Sequence, residues 1–224
     1  MDIIHIAVTA TLPTSRAVRR HTKRVTSRAV KKRETHERIL TSARVIAKRE
    51  GLRAASVPRV MCGAGLTVGG FYSHFPSKTA MDVEIIRGML GGPSRWLSGL
   101  EESAGLEWVQ RALKRYLSRE HRNNPDGCAY PAVLSEVAMS SEGVREACAG
   151  ALEVRVRAFE TQVPPVAGCS ARERALAAMA LTIGGLLLSR ATRGNPISEE
   201  MLDACKKWAL PELDLKAPSP PRRR

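Results

Sequence analysis

The sequence predicts an all-α protein, and three observations carry that reading. Aromatic residues are only 4% of the 224 residues while hydrophobic residues reach 43%, with alanine and leucine plentiful. Strands favour the aromatic side chains that are scarce here. Apolar residues recur at three- and four-residue spacing rather than in alternation. Glycine, proline and capping residues then divide these stretches into short helices. The length allows one domain or two small ones.

The elements follow in order. Ile39, Ala43, Ile46 and Ala47 set a helix over 36–50, and Gly51 is its expected stop, since glycine tolerates the left-handed conformation there. Ser56 offers a cap for a second short helix carrying Val57, Val60 and Met61, with Pro58 tolerated in the first turn. Gly63 and Gly65 surround a turn. Thr67 caps a third short helix through Phe71, Tyr72 and His74, and Pro76 ends it. Ser77 caps a fourth, with Met81, Ile85 and Met89, which Gly91, Gly92 and Pro93 close. Short helices joined by a tight glycine turn make a helix-turn-helix pattern.

The remainder is helical too. Leu106, Val109, Leu113 and Leu117 mark a helix over 105–121, and the run from Asn123 to Gly127 is a loop. A helix over 130–139 follows, then one through Val144, Ala147, Ala151, Val154 and Ala158 that ends before Pro164. From Ala175 to Leu188 only Thr182 is polar. A helix apolar on all sides must be buried on all sides. At fourteen residues it is too short for a bilayer, which needs about 20. It is either the centre of a monomeric bundle or a face that packs on its own copy across a two-fold axis. A last helix over 198–209 carries Met201, Leu202, Cys205 and Trp208.

Charge and cysteines exclude several classes. The net charge is +14, of which residues 1–33 hold +8 and residues 216–224 hold +4. Such basic ends attract phosphate or anionic surfaces. Residues 1–33 are expected as a disordered basic extension and 211–224 as a disordered basic tail. The five cysteines, Cys62, Cys128, Cys148, Cys169 and Cys205, are odd in number, and no pair has C-x-x-C spacing. Neither a disulfide framework nor a zinc site is expected, and no cofactor or metal. No Ser/His/Asp motif, phosphate-cradling glycine loop or metal-ligand cluster points to an enzyme. A membrane protein is not expected either.

The stretch Ala64-Gly65-Leu66-Thr67-Val68-Gly69-Gly70-Phe71-Tyr72-Ser73-His74-Phe75-Pro76-Ser77-Lys78 closely resembles the DNA-binding signature of TetR-family transcriptional regulators. The resemblance covers residues 36–82. Asp126-Gly127-Cys128, Leu134-Ser135-Glu136 and the segment from Ile183 to Ala191 also resemble a subgroup of that family. Two positions depart from the pattern: Met61 stands where the family usually has alanine, and Gly63 lies in or at the end of the second helix.

The resemblance implies an N-terminal three-helix helix-turn-helix DNA-binding domain over 34–80 and a C-terminal helical ligand-binding and dimerisation domain over 81–210. It implies that Val68, Gly69, Gly70 and Ser73 face the groove floor and that Thr67, Tyr72, His74 and Lys78 contact phosphate. Ser56 adds a contact at the start of the second helix. Phe71 and Phe75 are core. The implied protein is a cytoplasmic, nucleoid-associated homodimer, paired through helices near 171–191 and 198–209. It binds a palindromic operator on double-stranded DNA as a repressor released by a small-molecule inducer. The same fold also serves activators.

The candidate ligand lining is Met89, Trp96, Trp108, Tyr116, Cys128, Tyr130, Met139 and Phe159, and no cluster of buried-looking charges points to a charged ligand. A second reading makes Cys128 a redox or electrophile sensor. It follows a glycine at the expected start of a helix, where the dipole lowers a thiol pKa.

Overall fold

A computed structural model describes residues 15–92, 97–100 and 103–209, with the side chains of 15–26 left undescribed. Among these residues all regular structure is helical. The helices are α1 (Ser15–Glu50), α2 (Val57–Gly63), a 3-10 helix (Val68–Ser73), α3 (Lys78–Gly91), α4 (Gly105–Tyr116), α5 (Arg119–Asn123), α6 (Tyr130–Ala138), α7 (Glu142–Glu160), α8 (Ala171–Ala191) and α9 (Pro196–Ala209).

α1 starts at Ser15 rather than near residue 36, which corrects the disordered reading of 15–33. That stretch has no glycine or proline, and nine of its nineteen residues are arginine or lysine, both good helix formers. The residues from 1 to 14 and the tail over 211–224 lie outside the described residues. At 36 residues α1 spans ~54 Å. Its far end packs through Ile39, Leu40, Ala43 and Ala47, all essentially inaccessible to solvent. Gly51 ends it with φ +94°, the left-handed conformation the stop requires.

The helix over 105–121 is two helices, not one. α4 stops at Leu117 (ψ 39°), and Ser118 opens α5 by accepting a hydrogen bond from the His121 N–H at 3.0 Å. A serine inside a helical pattern competes for the backbone in this way. α8 has 21 residues rather than fourteen, because Ser170 and Glu173 form a capping box that starts it early. It is long and apolar enough to cross a membrane by length and composition alone, yet half of its most apolar stretch is buried inside the fold.

α8 and α9 form a tight antiparallel pair. A Cβ on Gly185 would stand 2.5 Å from Cys205 Sγ, so only glycine lets the two helices come this close. Ser198 Oγ donates to the Ser189 carbonyl at 2.7 Å, and Ser189 Oγ donates to the Ser198 carbonyl at 2.9 Å. Arg119 and Arg122 each reach Glu199 at 2.7 Å, which joins α5 to α9.

The other face of α8 is open. Leu176, Leu181, Leu187 and Leu188 are 36–50% exposed, and Ala177 and Ala180 lie beside them on the surface. The burial on all sides that its composition demands is therefore absent within one chain.

His121 sits at the junction of α4, α5 and α8, wholly buried, with Nδ1 2.7 Å from the Tyr116 carbonyl. Burial pushes its pKa down to about 4, against the hydrogen bond to Tyr116 and together with the charges of Arg190 and Lys48. The unfolded chain takes up this proton near 6.5. Neutral His121 therefore stabilises the fold fully above about pH 6.5, and that contribution is lost as pH falls toward 4. The expected loss is about 3 kcal/mol. His121→Asn should flatten this part of the profile, read by urea unfolding at pH 7 and 4.5. An equal loss in both proteins would place the proton uptake elsewhere.

Candidate nucleic-acid interface

The glycine-rich segment after α2 is built on two buried rings. Phe71 and Phe75 are 0% and 1% exposed and stack at 5.3 Å between centroids. His36 of α1 stacks on Phe75 at 4.3 Å and bonds Glu84 of α3 at 2.7 Å through Nε2. These contacts fix the 3-10 helix against α1 and α3. The turn before it is made at Gly65 (φ +64°).

What remains outside is one surface. Thr67, Val68, Gly69, Tyr72 and Ser73 are exposed, and Ser56, Gly70, His74 and Lys78 are half-exposed. Tyr72 reaches 69% exposure and Val68 48%. A Cβ at Gly69 would meet nothing within 4 Å, so a flat partner can approach the backbone there.

Several local details differ from the sequence expectation. The third helix is 3-10, not α. Ser56 and Thr67 occupy cap positions, but neither hydroxyl makes a capping bond. After Ser56 the second helical residue is Pro58, which has no N–H to offer. After Thr67 the Gly70 N–H is already taken by the Thr67 carbonyl at 3.1 Å. Ser77 does cap α3, accepting from the Ala80 N–H at 3.0 Å.

Lys78 is bound to Asp82 at 2.5 and 2.7 Å and to the Leu52 carbonyl at 3.5 Å. It anchors the start of α3, and its charge is shared with a carboxylate. His74 is held below the usual histidine range by burial, then by His36 and Lys32.

The two departures have structural reasons. A Cβ on Gly63 would collide with Ser42 Oγ, which donates to the Val60 carbonyl at 3.0 Å. Gly63 therefore permits the close crossing of α1 and α2. Met61 is wholly buried, and its Cε passes 3.7 Å from where a Gly70 Cβ would stand.

Residues 39–85 match the family model "Bacterial regulatory proteins, tetR family". That span runs from the buried half of α1 through the first half of α3, over the surface just described. Residues 39–85 therefore form a TetR-family DNA-binding segment. Its helix-turn-helix is that of a DNA-binding transcription regulator.

Solved structures share the whole fold. NemR of E. coli in its reduced form has a TM-score of 0.66 at 18% identity, covering 78% of this chain and 96% of that one. A TetR-family regulator from Agrobacterium tumefaciens scores 0.62 at 19% identity, covering 77% and 98%. One from Cytophaga hutchinsonii scores 0.65 at 18%, covering 80% and 94%. Among curated proteins none matches this sequence.

Behind the interface lies a partly open cavity of about 710 Å³, a volume suited to a small molecule. Met89, Tyr116, Cys128, Tyr130 and Phe159 are brought together in its lining. Trp108 packs edge-on to Phe159 at 5.2 Å outside the lining. Met139 is 77% exposed at the surface. Trp96 lies outside the described residues.

Sequence reasoning missed Arg44, Lys48, Arg49 and Arg155, which also line the cavity. This corrects the expectation of no charged cluster. α1 and α7 are far apart in the chain, so no local pattern signals the group. Also missed was Lys32, whose charge reaches His74. It joins Arg28, Lys31 and Arg33 as exposed cations on α1.

Cys128 is corrected as well. Burial pushes its thiol pKa up rather than down, and its Sγ lies 2.9 Å from Tyr116 Oη. The helix start expected to lower it begins two residues later, at Tyr130.

Proposed function

We propose that this chain is a homodimeric repressor that reads a palindromic operator and is released from it by a small molecule bound in the cavity. One observation carries the coupling. α1 packs against α2 and α3 through Ile39, Leu40 and Ala43, and its other face lines the cavity through Thr41, Arg44, Val45 and Lys48. A molecule that favours one tilt of α1 biases both recognition segments of a dimer. It must bind one of the two states better to do so.

On DNA, Thr67, Tyr72, His74 and Ser56 contact phosphate, Val68 meets a thymine methyl, Ser73 reaches a base edge, and Gly69 with Gly70 allow close approach. Lys78 holds the start of α3 and presents its ammonium alongside Asp82. So few side chains read little sequence, and two half-sites in a dimer supply the rest. The exposed leucine face of α8 is the surface for that pairing.

The test is selection of bound sequences from random DNA by wild type and by a Tyr72→Ala, Lys78→Ala double variant, at fixed salt. A palindrome enriched by wild type and lost in the variant is expected. Selection of no sequence, with binding that fades smoothly as salt rises, would end the reading. Deleting residues 1–30 should lower affinity while the selected sequence stays the same.

A second reading makes Cys128 a sensing thiol. Its Sγ lines the cavity beside Tyr116, and one fold neighbour is described as a reduced form. Retained operator binding by protein modified at this thiol would end it.

A further inference from the structure

We propose that the cavity takes an organic anion with an apolar body, its carboxylate held among Arg44, Lys48 and Arg155. The inference rests on the ligand-release reading and gives the ligand its chemical class.

The charges in the lining are unbalanced. Among the described residues its only carboxylate is Asp126, which lies 3.5 Å from Arg49, and both side chains are 57% exposed. That pair neutralises itself at the mouth. Among the described residues Arg44 pairs only with Glu37 at 3.5 Å, itself 58% exposed, and its buried Nε has no hydrogen-bond partner there. The Arg44 guanidinium lies over Gly88, where a Cβ would stand 2.6–2.8 Å from it. Any side chain at 88 would displace it.

Lys48 is half-buried and makes no ion pair or side-chain hydrogen bond among the described residues. Arg155 donates to the carbonyls of Gly92 at 2.5 Å and Leu90 at 3.4 Å. Carbonyls orient a guanidinium without cancelling its charge. Arg190, just behind the wall, is likewise held by the carbonyls of His121, Arg122 and Cys128 at 2.9–3.2 Å.

Tyr130 completes the site. The residue is 6% exposed, lines the cavity, and its Oη is buried without a hydrogen bond of ordinary geometry. Burial pushes its pKa up to about 12, so it stays a donor at neutral pH. A buried donor left unpaired is costly, and a carboxylate that accepts from it removes the cost. The same cavity is lined by Met89, Ala112, Phe159 and Met179, apolar surface for the rest of the molecule. A hydrophobic cation would meet uncompensated positive charge instead.

The experiment is calorimetric titration of the full chain with decanoate, decanol and decyltrimethylammonium, all below their micelle concentrations. Decanoate should bind at least about tenfold more tightly than decanol, the ratio expected for a charge-assisted hydrogen bond, and the cation should bind most weakly. Lys48→Met and Tyr130→Phe should each weaken decanoate binding by about threefold to tenfold and leave decanol unchanged. Tyr130 Oη lies beside Arg155 but its O–H has no acceptor among the described residues, so thermal unfolding of Tyr130→Phe should change little, which separates ligand loss from misfolding.

Decanoate no tighter than decanol, preference for the cation, equal effects of the variants on acid and alcohol, or no binding of any of the three would each overturn the inference. Operator binding in the same samples keeps the two readings apart. Decanoate that binds without releasing DNA leaves the ligand class standing and counts against release. No anion binding beside intact operator recognition ends the inference alone.

Discussion

Leu181→Glu with Leu188→Glu is expected to leave a folded monomer of 24.4 kDa that has lost its hold on a two-half-site operator. The two residues lie two turns apart on the open face of α8 and are 36% and 50% exposed in the single chain. Glutamate there meets water in the monomer, so unfolding free energy should move by no more than about 0.5 kcal/mol per site. In a dimer packed on this face, four carboxylates would be buried opposite one another. An unpaired buried charge costs several kcal/mol, so the dimer constant should fall by more than about a hundredfold. Sedimentation velocity reads the mass, and a fluorescence-anisotropy titration reads the operator. A double variant that remains a dimer would move the interface off this face.

Phe71→Ala and Tyr72→Ala, adjacent in sequence, should fail in opposite ways. Phe71 is wholly buried and stacks on Phe75 at 5.3 Å. Truncating a buried aromatic costs about 3–5 kcal/mol through lost burial and the cavity left behind. Against a typical total of about 5–15 kcal/mol, that is a large fraction, and urea unfolding should show it directly. Tyr72 is 69% exposed, and its loss should change stability by less than about 0.5 kcal/mol while weakening DNA binding. If both variants lose stability alike, Tyr72 is core and not contact. If neither does, the 3-10 segment is not held by its aromatic pair.

Much of the interface was legible in the sequence because it is local. Gly51, Gly65, Ser77 and the Phe71/Phe75 pair act within a turn or two of their own positions, and turn and cap chemistry reads at that range. The expected caps at Ser56 and Thr67 failed for an equally local reason: Pro58 has no N–H, and the 3-10 turn uses the Gly70 N–H itself. The break at Leu117 was missed because Leu113 and Leu117 keep helical spacing through it, and only the Ser118 cap betrays the second helix.

By itself, then, the sequence determined an all-α chain and the order of its helices, since these follow from hydrophobic period and short-range backbone chemistry, and the signature over residues 64–78 supplied the resemblance to a TetR-type helix-turn-helix. Only the tertiary structure decided the rest. It left one face of α8 bare after α7 and α9 had covered the other, which composition alone cannot assign. It buried Cys128 beside Tyr116 and so raised a pKa that its place in the sequence suggested would fall. It brought Arg44 and Lys48 of α1 to the same cavity as Arg155 of α7. Charge acts through space, and the potential at a cavity depends on which distant residues the fold sets around it.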